Sequence, residues 1–583
     1  MRLDPHSYAD DSQPSTEHLD WEATVDFDRR ELRAKATLTF AQPGSGLLDL
    51  DTRDLRIDSV VDDQGRALTF ELAPADPILG QRLQISLLPG TAKVTLAYRT
   101  SPTASALQWL TPAQTRSGAH PFLFSQCQAI HARSVVPLQD TPRLRIRYRA
   151  RLDVPASLRA LMGAGHVSRE ERGERAVETW EMPQPIAPYL FALVVGELSS
   201  RELGPRTRVW AEPSCVDAAA YEFGEVGKML AAAEALFGPY DWDRFDFLVL
   251  PPSFPYGGME NPRLTFLTPT LLAGDRSLAN VLAHELAHSW AGNLITNANA
   301  EHFWLNEGLT VYAERRILEA LEGREVSELH AAIGRKSLED DVDRFADRPQ
   351  LTKLHTHLSG VDPDDAYSQV PYEKGYLLFR ALEEHVGRVR FDAFLRAYLA
   401  AFRFQSITTD QFVAFADQAL PSALEEIGAP AYFDLPGIPP NAPRASSSKL
   451  EAIQRLGPDV PAQEVAEEWN PTEWQVFLGQ LKPPLARATL ETLDQRFGLT
   501  QRTNDEVLVT WLELAARSNY EPALPRIEEV LGRVGRMKYL KPLYRALLGH
   551  AETRERARAW FAKFREGYHP IAAQVVEALF AKS

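Results

Sequence analysis

Cysteine is scarce in this chain of 583 residues, in which only Cys127 and Cys215 occur. So few cysteines cannot form a disulfide framework in a protein of this size, which favours a reducing compartment and predicts that both are small buried hydrophobes. No run of about eighteen apolar residues is present, so no membrane span is expected. The first residues are acidic and polar where a signal peptide would be basic and then apolar. We therefore expect a cytoplasmic protein, unless a leader is missing from the sequence.

Positively charged residues are also in deficit, because the sequence has 63 lysines and arginines but 79 aspartates and glutamates. The resulting formal net charge of -16 argues against nucleic acid as a partner, since phosphate binding needs a basic field. The remaining balance, with 44% hydrophobic and 24% charged residues, is that of an ordinary globular protein. The length exceeds what a single hydrophobic core supports and predicts about three domains.

Residues 1–199 have the pattern of a β-domain. Apolar side chains alternate with polar ones over residues 36–40, 83–87, 94–98 and 144–152, as expected for sheets that are wet on one face. Turn signals separate these runs at residues 62–65 and at Pro89 and Gly90. Repeated short strands of this kind predict sheets packed as a sandwich.

Helical periodicity dominates after residue 200 and predicts two further domains. Residues 200–436 combine helical stretches with a short strand candidate at 247–250, which indicates a mixed domain. Residues 437–449 are rich in Pro, Ser and Ala and form a predicted linker, because proline interrupts both helices and ladders. Residues 450–583 are nearly all of helical period, with prolines such as Pro542 expected at helix starts, which predicts a stacked, curved helical domain. The predicted fold class is therefore multidomain α+β.

The strongest candidate site lies in one predicted helix, from its cap Ser277 to its end at Gly292. Residues four apart on a helix share a face, so His284 and His288 present two imidazoles to one point. Glu285 is rotated by one step, near a bound ion but free to act on water as a base. This H-E-x-x-H arrangement is that of a zinc protease helix, although so short a string also arises by chance.

A catalytic zinc needs a third protein ligand and an open position. Glu307 follows His288 by 19 positions, which leaves room for a loop and a second helix that packs back on the first. The small Gly308 predicts a close approach of this second helix to the metal helix. The apolar neighbour Trp304 argues against a solvent-exposed Glu307. Glu314 lies seven residues further along the same face and is a candidate partner for a metal ligand.

With these motifs the sequence resembles the gluzincin aminopeptidases of the aminopeptidase N superfamily. The resemblance rests on H-E-x-x-H, on the W-L-N-E-G glutamate after eighteen further residues, and on the exopeptidase signature G-G-M-E-N that begins at Gly257. Residues 124–129, 371–375 and 535–538 are similar to the leukotriene A hydrolase and aminopeptidase B branch. The resemblance spans nearly the whole chain and implies a thermolysin-like catalytic domain, a superhelical C-terminal domain and one zinc ion per chain.

The resemblance also implies the roles of individual residues. Glu285 would be the base, Tyr372 would donate a hydrogen bond to the oxyanion, and Glu260, assisted by Gln128, would hold the free ammonium of the substrate. The zinc ligands would be His284, His288 and Glu307, and the substrate-binding residues would be Gln126, Gln128, Ala129, Tyr256, Gly257, Gly258, Met259, Glu260, Asp364, Tyr367, Arg536 and Lys538.

Arg536 and Lys538 would bind the carboxylate of a short peptide, a task that suits the guanidinium fork. Basic residues in a loop otherwise face solvent, so this role depends on the resemblance. If it holds, the preferred substrates are tripeptide-sized, and a cleft closed by three domains would exclude folded proteins. We expect a monomer.

Two other functions stay open at this point. The first is hydrolysis of a leukotriene-like fatty-acid epoxide in the same pocket, for which Asp364 and Tyr367 occupy matching positions. The second is a catalytically silent binding protein, which the retention of every expected ligand, base and tyrosine argues against.

Overall fold

The computed structural model describes residues 2–581, and its N-terminal part is built from strands. The strands are β1 (Thr16–Asp26), β2 (Glu31–Thr52), β3 (Arg56–Asp62), β4 (Phe70–Leu72), β5 (Gln81–Arg99), β6 (Leu107–Leu110), β7 (Phe122–Ser125), β8 (Ile146–Pro155), β9 (Arg159–Met162), β10 (Gly165–Arg172), β11 (Arg175–Ile186) and β12 (Leu193–Gly196).

These strands form two sheets. The larger has the order β10-β11-β8-β1-β2-β5-β3, with β4 also paired to β5, and the smaller has the order β6-β7-β12-β9. Buried and more exposed positions alternate along β8, where Ile146, Tyr148, Ala150 and Leu152 are all buried. The predicted β-domain, wet on one face of its sheet, is confirmed.

The predicted turn at Pro89 and Gly90 is wrong. Both residues lie inside β5, which continues through them as one 19-residue strand. Gly44 of β2 pairs with Thr91, the residue after Gly90, and the register between the two strands shifts on either side of this pair. Both strands therefore bulge at this point and remain paired beyond it. Residues 62–65 do form a turn, in which the Gly65 amide donates to the Asp62 carbonyl at 3.1 Å.

The middle of the chain is mixed, as predicted. A five-stranded sheet has the order β13-β14-β15-β17-β16, and β18 pairs with β19. The strands are β13 (Ser199–Gly204), β14 (Thr207–Ala211), β15 (Phe247–Val249), β16 (Gly258–Met259), β17 (Thr265–Leu267), β18 (Ile295–Asn297) and β19 (Gln405–Ile407). The helices are α1 (Val216–Glu222), α2 (Val226–Phe237), α3 (Ala279–Ala287), α4 (Trp304–Glu322), α5 (Arg324–Arg344), α6 (Gly375–Val386), α7 (Arg388–Ala401), α8 (Thr409–Ala419), α9 (Ala423–Glu426) and α10 (Pro430–Phe433).

Helix α4 is the central helix of this part, and its first fifteen residues are all buried. Gly308 allows a close helix approach, but not the one predicted. A Cβ at Gly308 would lie 2.7 Å from the Cα of Gly375, so the glycine makes room for α6, whereas α4 meets the metal helix α3 through Glu307, as predicted. The role predicted for Gly308 was wrong because Gly308 and its neighbour Glu307 face different directions around α4.

The last part of the chain is helical and has its own hydrophobic core around Trp474, Trp511 and Tyr539. Pro542 was predicted at a helix start but lies inside its helix. Ser447 caps the first helix of this part, so Ser448 and Lys449, the end of the predicted linker, are helical instead. The helices are α11 (Ser448–Leu456), α12 (Gln463–Ala466), α13 (Pro471–Gln480), α14 (Arg487–Phe497), α15 (Asp505–Arg517), α16 (Leu524–Arg533), α17 (Met537–Leu548), α18 (Ala551–Phe564) and α19 (Pro570–Ala581).

The β-domain and the mixed part share one continuous hydrophobic core, whereas the helical part packs around a second one. Cys127 and Cys215 are both free and buried, as predicted. Among the helices of residues 2–581, none combines the length and the apolar character that a bilayer crossing requires.

Candidate metal centre and substrate cavity

The two candidate histidines lie at the C-terminal end of α3, a shorter helix than predicted. Ser277 does not cap it: its hydroxyl donates to Asp275 and accepts from Asn504 of the helical part. His288 follows the last helical residue, and Gly292 then reverses the chain with φ of +106°. A side chain at Gly292 would clash with His288 Nδ1, so glycine is required where the chain passes the metal site.

His284, His288 and Glu307 converge on one point. The two Nε2 atoms are 3.2 Å apart, and each lies 3.5 Å from Glu307 Oε2. A point equidistant from the corners of such a triangle is about 2.0 Å from each, which matches the bond lengths of zinc to imidazole and carboxylate. The three ligand atoms therefore fit a zinc ion without rearrangement.

The Nδ1 atom of each imidazole, on the side away from this point, is held by a hydrogen bond. His284 Nδ1 lies 3.0 Å from Glu314 Oε2, and His288 Nδ1 lies 3.0 Å from the Ala291 carbonyl oxygen. Both contacts leave the Nε2 lone pair directed at the shared point, as in other zinc sites. Burial lowers the pKa of His288 to about 4, which keeps its imidazole neutral and able to coordinate a metal.

Two buried carboxylate oxygens at this point have no hydrogen-bond partner within residues 2–581. They are Glu307 Oε2, at the corner of the ligand triangle, and Glu285 Oε2. Glu260 is buried beside them and shares a second possible ligand group with Glu285 and His288. Several carboxylates buried together without a cation would be costly, so a divalent ion fits the site electrostatically as well as geometrically.

Glu285 lies against the edge strand β16. A Cβ at Gly258 would be 2.2 Å from Glu285 Oε1, so only glycine allows the strand to pass this close to the carboxylate. Burial raises the pKa of Glu285 well above its ordinary value, and Glu260 and Glu307 add to the effect while His284 opposes it. A cation in the ligand triangle would favour the carboxylate form again, which is the form that a base requires.

Glu260 is buried at the end of the same strand. Its Oε1 accepts from Gln128 Nε2 at 3.4 Å, and its backbone carbonyl accepts from Asn293 Nδ2 at 2.7 Å. Burial raises the pKa of Glu260. A fixed, desolvated carboxylate of this kind would be stabilised by a cationic substrate group.

Tyr372 lies in a π-helical turn, Val370–Lys374, directly before α6. Its ring stacks on that of His284, with centroids 6.1 Å apart, and it also contacts Tyr367 and Phe303. Burial raises the pKa of Tyr372 well above its ordinary value, so the hydroxyl keeps its proton and can donate it in a hydrogen bond.

Arg536 and Lys538 share one acceptor, Glu506 of α15. Arg536 Nη1 donates to Glu506 Oε1 at 3.0 Å, and Lys538 Nζ donates to Oε2 at 2.7 Å. The Arg536 side chain is only 6% exposed, whereas that of Lys538 is 57% exposed. Burial would raise the pKa of Glu506, but Lys538 and Arg536 outweigh burial and hold it at about 2.

Arg536 is brought to the middle part of the chain by two backbone hydrogen bonds. The Gly535 amide donates to the Pro252 carbonyl at 2.7 Å, and the Met537 amide donates to the Pro255 carbonyl at 2.8 Å. Arg536 Nε is buried without a partner, and Nη2 lies beside Gly257. Among the described residues, none accepts a hydrogen bond from its Nε–Nη2 edge, which a carboxylate can bind in a bidentate manner.

Asp364 is held by His131 of the β-domain, whose Nε2 lies 2.9 Å from Asp364 Oδ2. Arg53 Nη1 lies 3.1 Å from His131 Nδ1 and can only donate, so Nε2 carries the proton and donates to Asp364. Burial alone would raise the pKa of Asp364, but the adjacent His131 outweighs burial and holds this pKa below its ordinary value.

A cavity of about 1670 Å³ joins these groups and is lined by all three parts of the chain. Gln126 and Met259 were predicted to bind substrate but do not line it. Gln126 Nε2 instead donates to Met259 Sδ at 3.3 Å, and both side chains are buried in the protein interior. The predicted residues that do line it are Gln128, Ala129, Tyr256, Gly257, Gly258, Glu260, His284, Glu285, His288, Glu307, Asp364, Tyr367, Tyr372, Arg536 and Lys538.

Three known domain families match the chain in the order of its structural parts. They are the peptidase M1 N-terminal domain over residues 15–190, the peptidase family M1 domain over 221–430 and the leukotriene A4 hydrolase C-terminal domain over 469–580. Leukotriene A-4 hydrolase of Xenopus laevis is 39% identical, with 98% of each chain covered. The chain belongs to the peptidase M1 family.

Other relatives of this M1 peptidase support the same family assignment. Leucine aminopeptidase 2 of Aspergillus niger is 38% identical over 91% of this chain and 90% of the relative. The structure of yeast LTA4 hydrolase in complex with bestatin superimposes with a TM-score of 0.91 at 32% identity, covering 99% of this chain and 97% of the yeast chain. An M1 zinc metallopeptidase from Deinococcus radiodurans, at 22% identity and a TM-score of 0.60, shares the fold over 75% of this chain and 97% of its own. The protein is thus a zinc aminopeptidase of the three-domain type.

Sequence reasoning missed several residues that position the site of this M1 peptidase. Glu506 and His131, which hold Arg536 and Asp364, lie in segments without a motif. Asn293 lies close to the metal helix in sequence, but only the folded chain brings its amide to Glu260. Each partner is non-local, so no local periodicity could indicate it.

Proposed function

We propose that the protein removes amino-terminal residues from short peptides, with tripeptides as the preferred length. Glu260, assisted by Gln128, binds the free ammonium, and Arg536 with Lys538 binds the carboxylate at the other end. Glu285 is the base and Tyr372 the oxyanion donor.

The spacing of Gly257 and Gly258 supports the length limit. Arg536 Nη2 abuts Gly257 and Glu285 Oε1 abuts Gly258, while the Cα atoms of consecutive residues are about 3.8 Å apart. The distance from Arg536 Nη2 to the Cα of Gly257 and that from Glu285 Oε1 to the Cα of Gly258 are each about 4 Å. The sum places the guanidinium and the base at most about 12 Å apart. In a tripeptide, the first carbonyl and the terminal carboxylate are separated by two residues, or about 7 Å. With a hydrogen bond of about 3 Å at each end, a tripeptide needs about 13 Å, close to this upper bound, whereas each further residue would add about 3.5 Å and exceed it.

The residues around the ligand triangle divide the chemistry between them. Bound zinc supplies a Lewis acid that polarises the scissile carbonyl and makes water more acidic. Glu285 accepts a proton from the attacking water and delivers it to the leaving amine. The Tyr372 hydroxyl donates to the oxygen that becomes negative, an interaction that is strongest in the transition state.

We propose one zinc ion per chain, a count that the overlap of the two possible ligand groups supports. Both groups use His288, and its Nδ1 is already bonded to Ala291. A single ion bound by His284, His288 and Glu307 leaves Glu285 and Glu260 free for catalysis and ammonium binding. Metal analysis of the purified protein should give one equivalent, and two equivalents would contradict this assignment. A monomeric state and a cytoplasmic location stay predictions from the sequence.

The proposed function is tested with a panel of tripeptides, longer peptides and aminoacyl-nitroanilides, which lack a carboxylate. We expect release of the first residue only, inhibition by a chelator that zinc reverses, and kcat/KM values highest for tripeptides. Equal values for tripeptides and nitroanilides would contradict the role of Arg536, and cleavage inside a blocked peptide would contradict that of Glu260.

Hydrolysis of a fatty-acid epoxide is a second candidate function. The Xenopus relative is named leukotriene A-4 hydrolase, and the protein holds Asp364 charged at the cavity wall near a cluster of Tyr256, Tyr367 and Tyr372. Aromatic rings would pack against a lipid chain, and Asp364 would direct a water to it. Incubation with a leukotriene epoxide should then give a diol in the wild type and none with Asp364→Asn. Absence of diol in the wild type would reject this candidate.

A further inference from the structure

The turn that carries Tyr372 is fixed by its two neighbours. Glu373 and Lys374 follow it directly and are both buried. Lys374 Nζ donates to the carbonyl oxygens of Thr352 and Leu435, at 2.9 and 2.8 Å. A π-helical turn has a less favourable backbone than an α-helix, so such side-chain contacts help to hold it.

Glu373 forms a buried ion pair with Arg315. Arg315 Nη2 lies 2.8 and 2.9 Å from the two carboxylate oxygens, and both side chains are less than a tenth exposed. The guanidinium packs on the Tyr376 ring at 3.9 Å. A Cβ at Gly334 would lie 2.2 Å from Glu373 Oε1, so α5 closes over the pair with no room for a displaced side chain.

Arg315 belongs to α4, the helix that carries one of the metal ligands and a partner of another. In α4, Glu307 is a corner of the ligand triangle and Glu314 bonds to His284. Arg315 is the next residue, so a displacement of the Tyr372 turn relative to the metal site would have to break or distort its bond to Glu373. The crossing of Gly308 and Gly375 fixes the same two segments at a second point.

We propose that Arg315 and Glu373 are positioning residues that hold the Tyr372 hydroxyl in register with the metal site. The inference builds on the role of Tyr372 proposed above. A buried ion pair contributes little net stability once desolvation is counted, but it fixes geometry. A displacement of about 1 Å at a reacting centre can reduce the rate about a hundredfold.

The test is a double-mutant cycle between Glu373→Gln and Tyr372→Phe. In the wild-type background, Glu373→Gln should lower kcat about tenfold or more, while KM stays within about twofold and bound zinc stays at the wild-type level. In the Tyr372→Phe background, which is itself about a hundredfold slower, Glu373→Gln should change kcat less than about twofold. A role in general stability would instead lower kcat equally in both backgrounds, and this result would overturn the proposal.

Two further variants keep the test decisive. Asp392→Asn breaks the neighbouring pair of α4, in which Arg316 Nη1 lies 2.7 Å from Asp392 Oδ1, and it should leave kcat unchanged. If Glu373→Gln does not fold, Arg315→Lys serves instead, because lysine keeps the charge but is shorter and loses the guanidinium. It should show the same dependence on Tyr372 with a smaller fall in kcat. Loss of zinc or a raised KM in a folded pair variant would also overturn the proposal. An unchanged kcat in Tyr372→Phe alone would instead reject the role of Tyr372, and with it this inference.

Discussion

Replacement of Arg536 should separate peptides that end in a free carboxylate from substrates that lack one. The Arg536 side chain is 6% exposed, and its Nε–Nη2 edge has no acceptor in the part of the chain that the structure describes. A bound carboxylate would therefore be desolvated on formation of the pair. Removing one partner of a buried, hydrogen-bonded charge pair costs about 2–5 kcal/mol. Because each 1.4 kcal/mol is a factor of ten, Arg536→Ala should lower kcat/KM for tripeptides by about 30-fold or more.

The exposed neighbour Lys538 provides the matched control. Its side chain is 57% exposed, and an exposed ion pair contributes up to about 1 kcal/mol, so Lys538→Ala should lower kcat/KM for tripeptides less than about fivefold. Both variants should leave hydrolysis of aminoacyl-nitroanilides within about threefold of the wild type.

The assay is steady-state kinetics on one tripeptide, its C-terminal amide and the matching nitroanilide. Arg536→Ala removes the charge beside Glu506 and could lower the melting temperature. In that case Arg536→Lys, which keeps the charge but lacks the planar guanidinium, replaces it in the assay. An equal loss on the tripeptide and on its amide would refute the reasoning, because the residue would then act on structure rather than on the carboxylate.

Three other perturbations follow from the geometry. Glu314→Gln should weaken zinc binding about 10- to 100-fold, measured by competition with a chelator, because the variant loses the charged acceptor of His284. Gly258→Ala should lower kcat strongly at unchanged zinc content, since its Cβ would lie 2.2 Å from Glu285 Oε1, and wild-type rates would contradict that packing. The folded pKa of Glu506, about 2, lies below its ordinary 4.5, so its ion pairs stabilise the fold above pH 4.5 and lose this effect as the pH falls towards 2. The melting temperatures of wild type and Glu506→Gln should therefore converge over that window, and a constant difference would refute the assignment.

Local patterns predicted the parts of the structure that depend on neighbours in sequence. The alternation in β8 and the four-residue spacing of His284 and His288 each follow from backbone geometry alone. The errors occurred where tertiary pairing overrides local preference. Pro89 and Gly90 signal a turn, yet both partner strands bulge there and continue.

The substrate cavity was less predictable, because its groups come from all three parts of the chain. The motifs supplied Arg536 and Glu260, but not the partners that orient them. Arg536 reaches the cavity because the Gly535 and Met537 amides bond to the Pro252–Pro255 loop of the middle part. No periodicity within one segment encodes a contact between segments nearly 300 residues apart.

Helix α4 shows why a usually sound rule fails at such a site. Glu307, Thr310 and Glu314 form a polar stripe along one face, which in most helices marks the side exposed to solvent. Here Glu307 meets the two imidazoles, Glu314 bonds to His284, and the Thr310 hydroxyl donates to the Ala291 carbonyl beside His288. A cation makes this burial favourable, because it compensates the negative charge of the buried carboxylates. A polar stripe on a helix with apolar flanks, placed downstream of two histidines four residues apart, therefore indicates a metal-facing helix rather than a surface one.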